Sequence, residues 1–165
     1  MTLKQIMQAM GAALTDVAAI KTWVKATFPA EKNITVYLGV DPENPPDSVQ
    51  TPAVFLWQPS HVVSAVSRGD FYEYMRDLRL VAWVEQPEIT TVDNVIEYNG
   101  LSDSDRLFSL AWQEIINNTA WPIHTGITDT SKRIVFSTVT SEPPIMLFPH
   151  FLTYGTFSIS YTVEA

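Results

Sequence analysis

The stretch Phe71–Glu85, FYEYMRDLRLVAWVE, is compatible with few structures. Every second residue from Tyr72 (Tyr72, Tyr74, Arg76, Leu78, Leu80, Ala82, Val84) lies on a face that is apolar but for Arg76. The opposite face, Phe71, Glu73, Met75, Asp77, Arg79, Val81, Trp83 and Glu85, is mixed. Strict alternation marks a strand with one buried face. Coiled as a helix, the same residues would scatter charge around the whole circumference. Toward residues 80–84 both faces become apolar, so that end is predicted to be covered on both sides. At fifteen residues the run exceeds the usual strand length of about 5–6. It is read as the central strand of a sheet, its outer half projecting as an arm.

A chain of 165 residues corresponds to one domain with a sizeable core, so residues 1–165 are taken as a single domain. Hydrophobic residues make up 46%, too many for a disordered chain. No apolar run approaches the roughly 18 residues of a membrane span. The N-terminal MTLKQIMQAM has polar residues inside its apolar stripe, unlike a secretory signal. The absence of cysteine excludes disulfides, thiolate chemistry and cysteine-based zinc sites. The net charge is −8 and the ten basic residues are scattered. No basic patch is available to neutralise a phosphate backbone, so specific nucleic-acid binding is not expected.

Thr2 and Gln5 have the spacing of a capping box. Leu3, Ile6, Met7, Met10, Leu14 and Val17 follow on one helical face, and the pattern runs to Phe28 before Pro29 stops it. Gly11 and Thr15-Asp16 are alternative break points, with Thr15 or Asp16 capping a second helix. Trp23, on the small and polar side, packs on a loop of its own domain or meets another subunit. ITVYL at 34–38 is a short strand. DPENPPDSVQ at 41–50 is a loop, because proline fixes φ and removes a donor. It serves as a solvated connector or binds a partner. PAVFLWQP at 52–59 reads as a strand buried on both faces. Residues 61–66 pair with the long strand through a turn at Ser67-Arg68-Gly69-Asp70. The polar connection at 86–100 is long enough to be a binding loop.

Ser102 is the expected cap of the next helix, with Asp103 and Asp105 in its first turn. Leu107, Phe108, Ala111, Trp112, Ile115 and Ile116 form its apolar face. Leu110 falls on the polar side. KRIVFSTVT at 132–140 is a strand, and the prolines of SEPPIMLFP place its continuation at an edge or in a kinked crossing. The closing FLTYGTFSISYTVEA alternates cleanly from Phe157, and Gly155 marks a bulge. These elements specify an α+β fold: a mostly antiparallel sheet with a projecting hairpin, packed against an N-terminal helix and a central capped helix.

Motifs that carry chemistry are missing. His61, His124 and His150 are far apart, each without an acidic or histidine neighbour at metal-ligand spacing. No phosphate loop, nucleophile elbow, dinucleotide fingerprint or zinc-protease motif is present. Asp103 and Asp105 are explained by capping. Glu73 and Asp77, alternating with Arg76 and Arg79, fit cross-strand ion pairs. No catalytic residue, metal site or cofactor is predicted; a small enzyme with a site assembled from distant residues is the weaker alternative.

The order of elements, with "TPAVFLWQP", "LRLVAWVEQP" and "GTFSISYTVE" at three of them, resembles the tail terminator (tail completion) proteins of long-tailed bacteriophages. TPAVFLWQP is similar to that family's buried strand. LRLVAWVEQP is similar to its long strand, leaving through a proline, and GTFSISYTVE to its closing strand. The helical region reaching Phe28 and the insertion at 41–50 depart from the family's pattern. The resemblance implies a virion structural protein at the head–tail junction, assembled in the host cytoplasm. It implies a homohexameric ring that caps the tail tube, ends its polymerisation and offers a head-joining surface. The implied partners are further copies of itself, the tail tube protein and a head–tail connector or head-closure protein, with no membrane. DNA would pass without specific binding, which suits an acidic conduit. A head-closure, neck or tube-like subunit is the alternative within phage structural proteins.

A closed ring joins two different patches of neighbouring copies. The outer hairpin supplies Val62, Val66, Phe71 and Tyr72 beside Arg68 and Glu73, and Leu110 supplies a second point. Aromatic anchors rimmed by charge are the usual hot-spot pattern.

Overall fold

A computed structural model describes residues 2–59, 64–68, 71–117 and 135–164. At 64–68, 71–73, 135–144 and 162–164 the description is of the backbone alone. Helices α1 (Leu3–Asp16) and α2 (Ala18–Thr27) precede strands β1 (Thr35–Leu38), β2 (Ala53–Trp57), β3 (Ser64–Arg68) and β4 (Phe71–Glu85). Strands β5 (Ile89–Val92) and β6 (Val95–Tyr98), helix α3 (Asn99–Asn117), and strands β7 (Val135–Leu147) and β8 (His150–Glu164) follow.

The main sheet has the order β1-β2-β4-β8-β7, with β3 paired to β4 beside this path. Among the described residues only the β1–β2 pair of this sheet is parallel. The fold is α+β, and β4 is the central strand. All fifteen of its residues are in register with β8, from Phe71↔Glu164 to Glu85↔His150. Its other side is shared: β2 takes residues 79–83 and β3 takes 71–75. The outer hairpin is therefore backed by β8 and forms a three-stranded extension of the sheet. Gly155 lies inside the unbroken β4–β8 register, so the expected bulge is not there. The shifts fall instead on edge strand β7, between Phe136 and Thr138 and between Glu142 and Ile145. The second of these spans Pro143 and Pro144, which have no N–H to give a ladder.

The alternation of β4 sorts two cores. Leu78, Leu80, Ala82 and Val84 join Val54, Leu56, Phe157, Ile159 and the helices in the larger core. Val81 joins Ala53, Phe55 and Leu152 on the opposite face. Thus 80–84 is covered on both sides, as its composition requires. The second cover is the 41–50 loop: Val40 and Val49 pack on that smaller core, Pro42 is buried, and Gln50 N–H donates to Tyr37 Oη at 2.9 Å. Residues 43–48 and 50 are exposed, as a solvated connector requires, and the loop touches the sheet at its ends through Pro42 and Val49.

The Thr2–Gln5 capping box is present: Gln5 N–H donates to Thr2 Oγ1 and Thr2 N–H donates to Gln5 Oε1. Gly11 does not break the helix. A Cβ there would stand 3.3 Å from Leu38 Cδ2 and 3.4 Å from Val36 Cγ1, so glycine lets α1 lie close on β1. The break comes at Val17, which adopts an extended conformation and caps α2 without a side-chain hydrogen bond. Asp16 pairs with Lys21 at 3.0 Å rather than capping. Trp23 is half-buried with its ring edge-on to Phe28 at 5.6 Å, a contact within its own domain.

Candidate interaction surface

The connection at 86–100 is a hairpin, not the open loop that its polarity suggested. Asp93 and Asn94 have φ of 48° and 66°, the left-handed region that Asp and Asn tolerate better than other side chains. With Val92 paired to Val95, they form a two-residue turn whose hand suits the twist of the strands. The flanking ITTV and VIEY are rich in β-branched residues, which favour strands. Paired residues share a face, so Ile89, Tyr98, Thr91 and Ile96 lie on one side of the hairpin. Thr90, Glu97, Val92 and Val95 lie on the other.

Both strands are exposed along their whole length. Val92 is 61% exposed, Val95 65% and Ile96 64%. The β7–β8 turn continues this surface: Leu147 is 65% exposed and Phe148 55%. Tyr98 joins the two, its ring edge-on to Phe148 at 5.6 Å. One corner of the fold therefore presents an apolar hairpin and an apolar turn side by side. Scattered exposed apolar residues are ordinary, but a contiguous group is the mark of an interaction site. A lone two-stranded hairpin is marginal in water, and burying these side chains against another surface would stabilise it.

Gln86 fixes the base of this corner. It is buried; its N–H donates to Pro149 O at 2.8 Å and its Nε2 donates to Asp103 Oδ2 at 3.1 Å. Its Oε1 accepts from Glu88 N–H at 3.2 Å. One residue thus ties the end of β4 to the β7–β8 turn through its backbone, and to α3 and the start of the hairpin through its side chain. Burial, chiefly, raises the Asp103 carboxyl above its ordinary value; the Gln86 hydrogen bond opposes this and the Glu88 charge adds to it. Helix α3 begins at Asn99, earlier than the cap expected at Ser102. Ser102 Oγ donates to Asn99 O within the helix, and Asp103 serves the Gln86 link.

The opposite sheet face is an aromatic layer. Tyr37 stacks on Phe55 and Phe55 on Trp83. Trp83 Nε1–H donates to His150 Nδ1 at 3.2 Å. The Arg79 guanidinium lies over Trp57 and Tyr154, 5.7 and 5.2 Å from the ring centroids, a range in which the ring quadrupole attracts a cation. Between Pro42, Glu43 and this face only a gap of about 30 Å³ remains, room for a water or two and far below the size of an organic ligand. A larger open groove, about 400 Å³, lies between α1 and the end of β1, lined by Leu3, Lys4, Met7, Gln8, Leu38 and Gly39.

Of the interface residues expected from sequence, Val62 lies outside the described residues. Val66, Arg68, Phe71, Tyr72 and Glu73 are placed by backbone only, with Ser67↔Tyr72, Val66↔Glu73 and Arg68↔Phe71 paired across the outer hairpin. Leu110 is corrected: it is 8% exposed and belongs to the main core. Helix α3 touches the sheet and also α1 and α2. Its buried arc is wider than one face, and Leu110, one turn from Leu107, sits at its margin. His61 and His124 lie outside the described residues. Among the described residues, no three histidines and carboxylates gather at a metal-binding distance, and no helix is long and apolar enough to cross a membrane.

Fold and surface define a class: an α+β domain with helices on one face of a mostly antiparallel sheet, and an unburied apolar corner at the end of its central strand. No family model matches the chain, and no curated protein matches it at a significant level.

Proposed function

We propose that the protein is a structural subunit of a phage tail, a tail terminator that closes into a homohexameric ring, caps the tube and ends its polymerisation. The apolar corner of β5, β6 and the β7–β8 turn carries this reading, because copies meeting through it would bury what a lone protomer leaves in water. The element order that resembles tail terminators supports the same assignment, and the acidic chain (net charge −8) suits a conduit that must not hold DNA. The far side of the ring would meet a head–tail connector or head-closure protein.

Negative-stain images of the purified protein, alone and mixed with tail tubes, test this. The expected result is six-fold rings, free or at tube ends, and tubes that stop lengthening once the protein is added. Tubes growing from the protein itself would make it a tube subunit. Tubes that lengthen unchecked, with no ring at their ends, would refute the assignment.

A further inference from the structure

We propose that the tip of the β5–β6 hairpin of one copy seats in the groove between α1 and β1 of the next, a head-to-tail contact repeated around the assembly. This rests on the ring reading above and specifies which surface meets which. A closed ring needs two different, complementary patches on each copy, and the described surface offers a pair. The hairpin supplies Val92 and Val95 at its tip. The groove supplies Leu3, Met7 and Leu38. Its volume of about 400 Å³ is enough to receive the valine side chains.

Position and charge agree with this pairing. Strand β1 is one edge of the main sheet and β7, whose turn into β8 adjoins the hairpin, is the other. Four strand spacings of about 4.8 Å put them about 19 Å apart, so a single protomer can use both at once with different neighbours. Charge at the two contact points is of opposite sign. Residues 85–105 carry Glu85, Glu88, Asp93, Glu97, Asp103 and Asp105 with no lysine or arginine. At the groove the lining charge is Lys4, with Asp41, Glu43 and Asp47 following its Gly39 in the chain. Asp93 at the hairpin tip and Lys4 at the groove attract between copies, whereas a two-fold contact of hairpin on hairpin would bring like charges together.

The chain has no cysteine, so introduced thiols report contacts without background. The full chain carrying Gln8→Cys together with Val95→Cys, both at exposed positions, is oxidised free and bound to tail tubes, then run on a denaturing gel. A ladder of covalent multimers is expected from the double variant, and none from either single variant. Mixing the two single variants should give dimers only. Val95→Asp should abolish rings and leave the circular dichroism and unfolding midpoint unchanged. Rings visible without a ladder would overturn the hairpin-in-groove contact and leave the ring reading intact. Covalent dimers from a single variant would overturn it in favour of a two-fold contact. Neither rings nor ladder, free or on tubes, would remove both.

Discussion

Gly100→Ala tests how closely α3 approaches the sheet. In an ordinary helix this change stabilises by about 1 kcal/mol, because glycine has more backbone freedom to lose. Here a Cβ would fall 2.7 Å from Phe151 Cγ and nearer still to Cδ2 and Cε2, where carbon atoms prefer about 3.5–4.0 Å. Phe151 is fully buried, with Tyr98 and Phe148 beside its ring. Rotation about χ2 can move the ring's far edge, but Cγ yields only through a change of χ1, which the packing around this buried ring opposes, or a shift of β8. Overpacking of this kind costs about 1–3 kcal/mol, and the depth of the overlap points to the upper part. Set against the helix gain, the net loss is about 1–2 kcal/mol, or about 2–8 °C in Tm for a chain of this size. Phe151→Leu alone should also destabilise, by about 1–2 kcal/mol. The double variant should lose less than the sum, since the smaller side chain makes room for the new methyl. Urea unfolding of all four proteins measures the coupling, expected at about 1–2 kcal/mol. A Gly100→Ala protein that gains stability, with additive behaviour in the double variant, would refute the close approach of α3 and β8.

Leu110→Asp should destabilise the protomer by several kcal/mol, because its carboxylate would sit at the margin of the core without a partner; a folded variant with an unchanged urea midpoint would return Leu110 to the surface. The raised Asp103 carboxyl means that the folded state holds its proton more tightly than the unfolded state. Its contribution is present below the ordinary value of 3.8 and is lost as pH rises through the higher folded value. Asp103→Asn, which keeps an oxygen acceptor for Gln86, should flatten that fall; identical pH slopes in the two proteins, measured from about pH 3 to 7, would contradict this. Zinc, magnesium and ATP should leave the thermal midpoint where it is, since a ligand of the folded state raises it; a clear rise with any of them would favour an enzyme over a structural subunit.

What the sequence revealed followed the strength of its periodicity. The run of β4 was legible to the residue because fifteen alternating positions allow no other register that keeps Leu78, Leu80, Ala82 and Val84 together. The burial of residues 53–56 was equally plain from the unbroken apolar run. Short signals failed. The β5–β6 hairpin was hidden because Asp93-Asn94 is a weaker turn signal than a pair ending in glycine, and because its strands are four residues each. Gln86 gave no warning, since a glutamine before a proline shows nothing of the three elements it will join. Leu110 misled for a different reason: a helical wheel assumes one buried face, and α3 is covered by the sheet and by two other helices.

The two apolar surfaces away from the helices are treated differently by the chain, and the difference bears on function. The sheet face of Phe55, Val81 and Leu152 is covered by the chain's own loop, with Val40 and Val49 packed on it and Pro42 buried. Three prolines in that loop restrict it before folding, so ordering it costs less entropy than ordering a glycine-rich segment. The hairpin corner has no such cover among the described residues, and its β-branched strands keep valine and isoleucine in water on both faces of a minimal sheet. A chain with no use for that corner could carry polar residues at Val92, Val95 and Ile96 without disturbing the core, which none of them joins. Threonine would serve the strands as well as these residues do, so the apolar choice at positions that join neither core is the physical case for proposing a neighbour there.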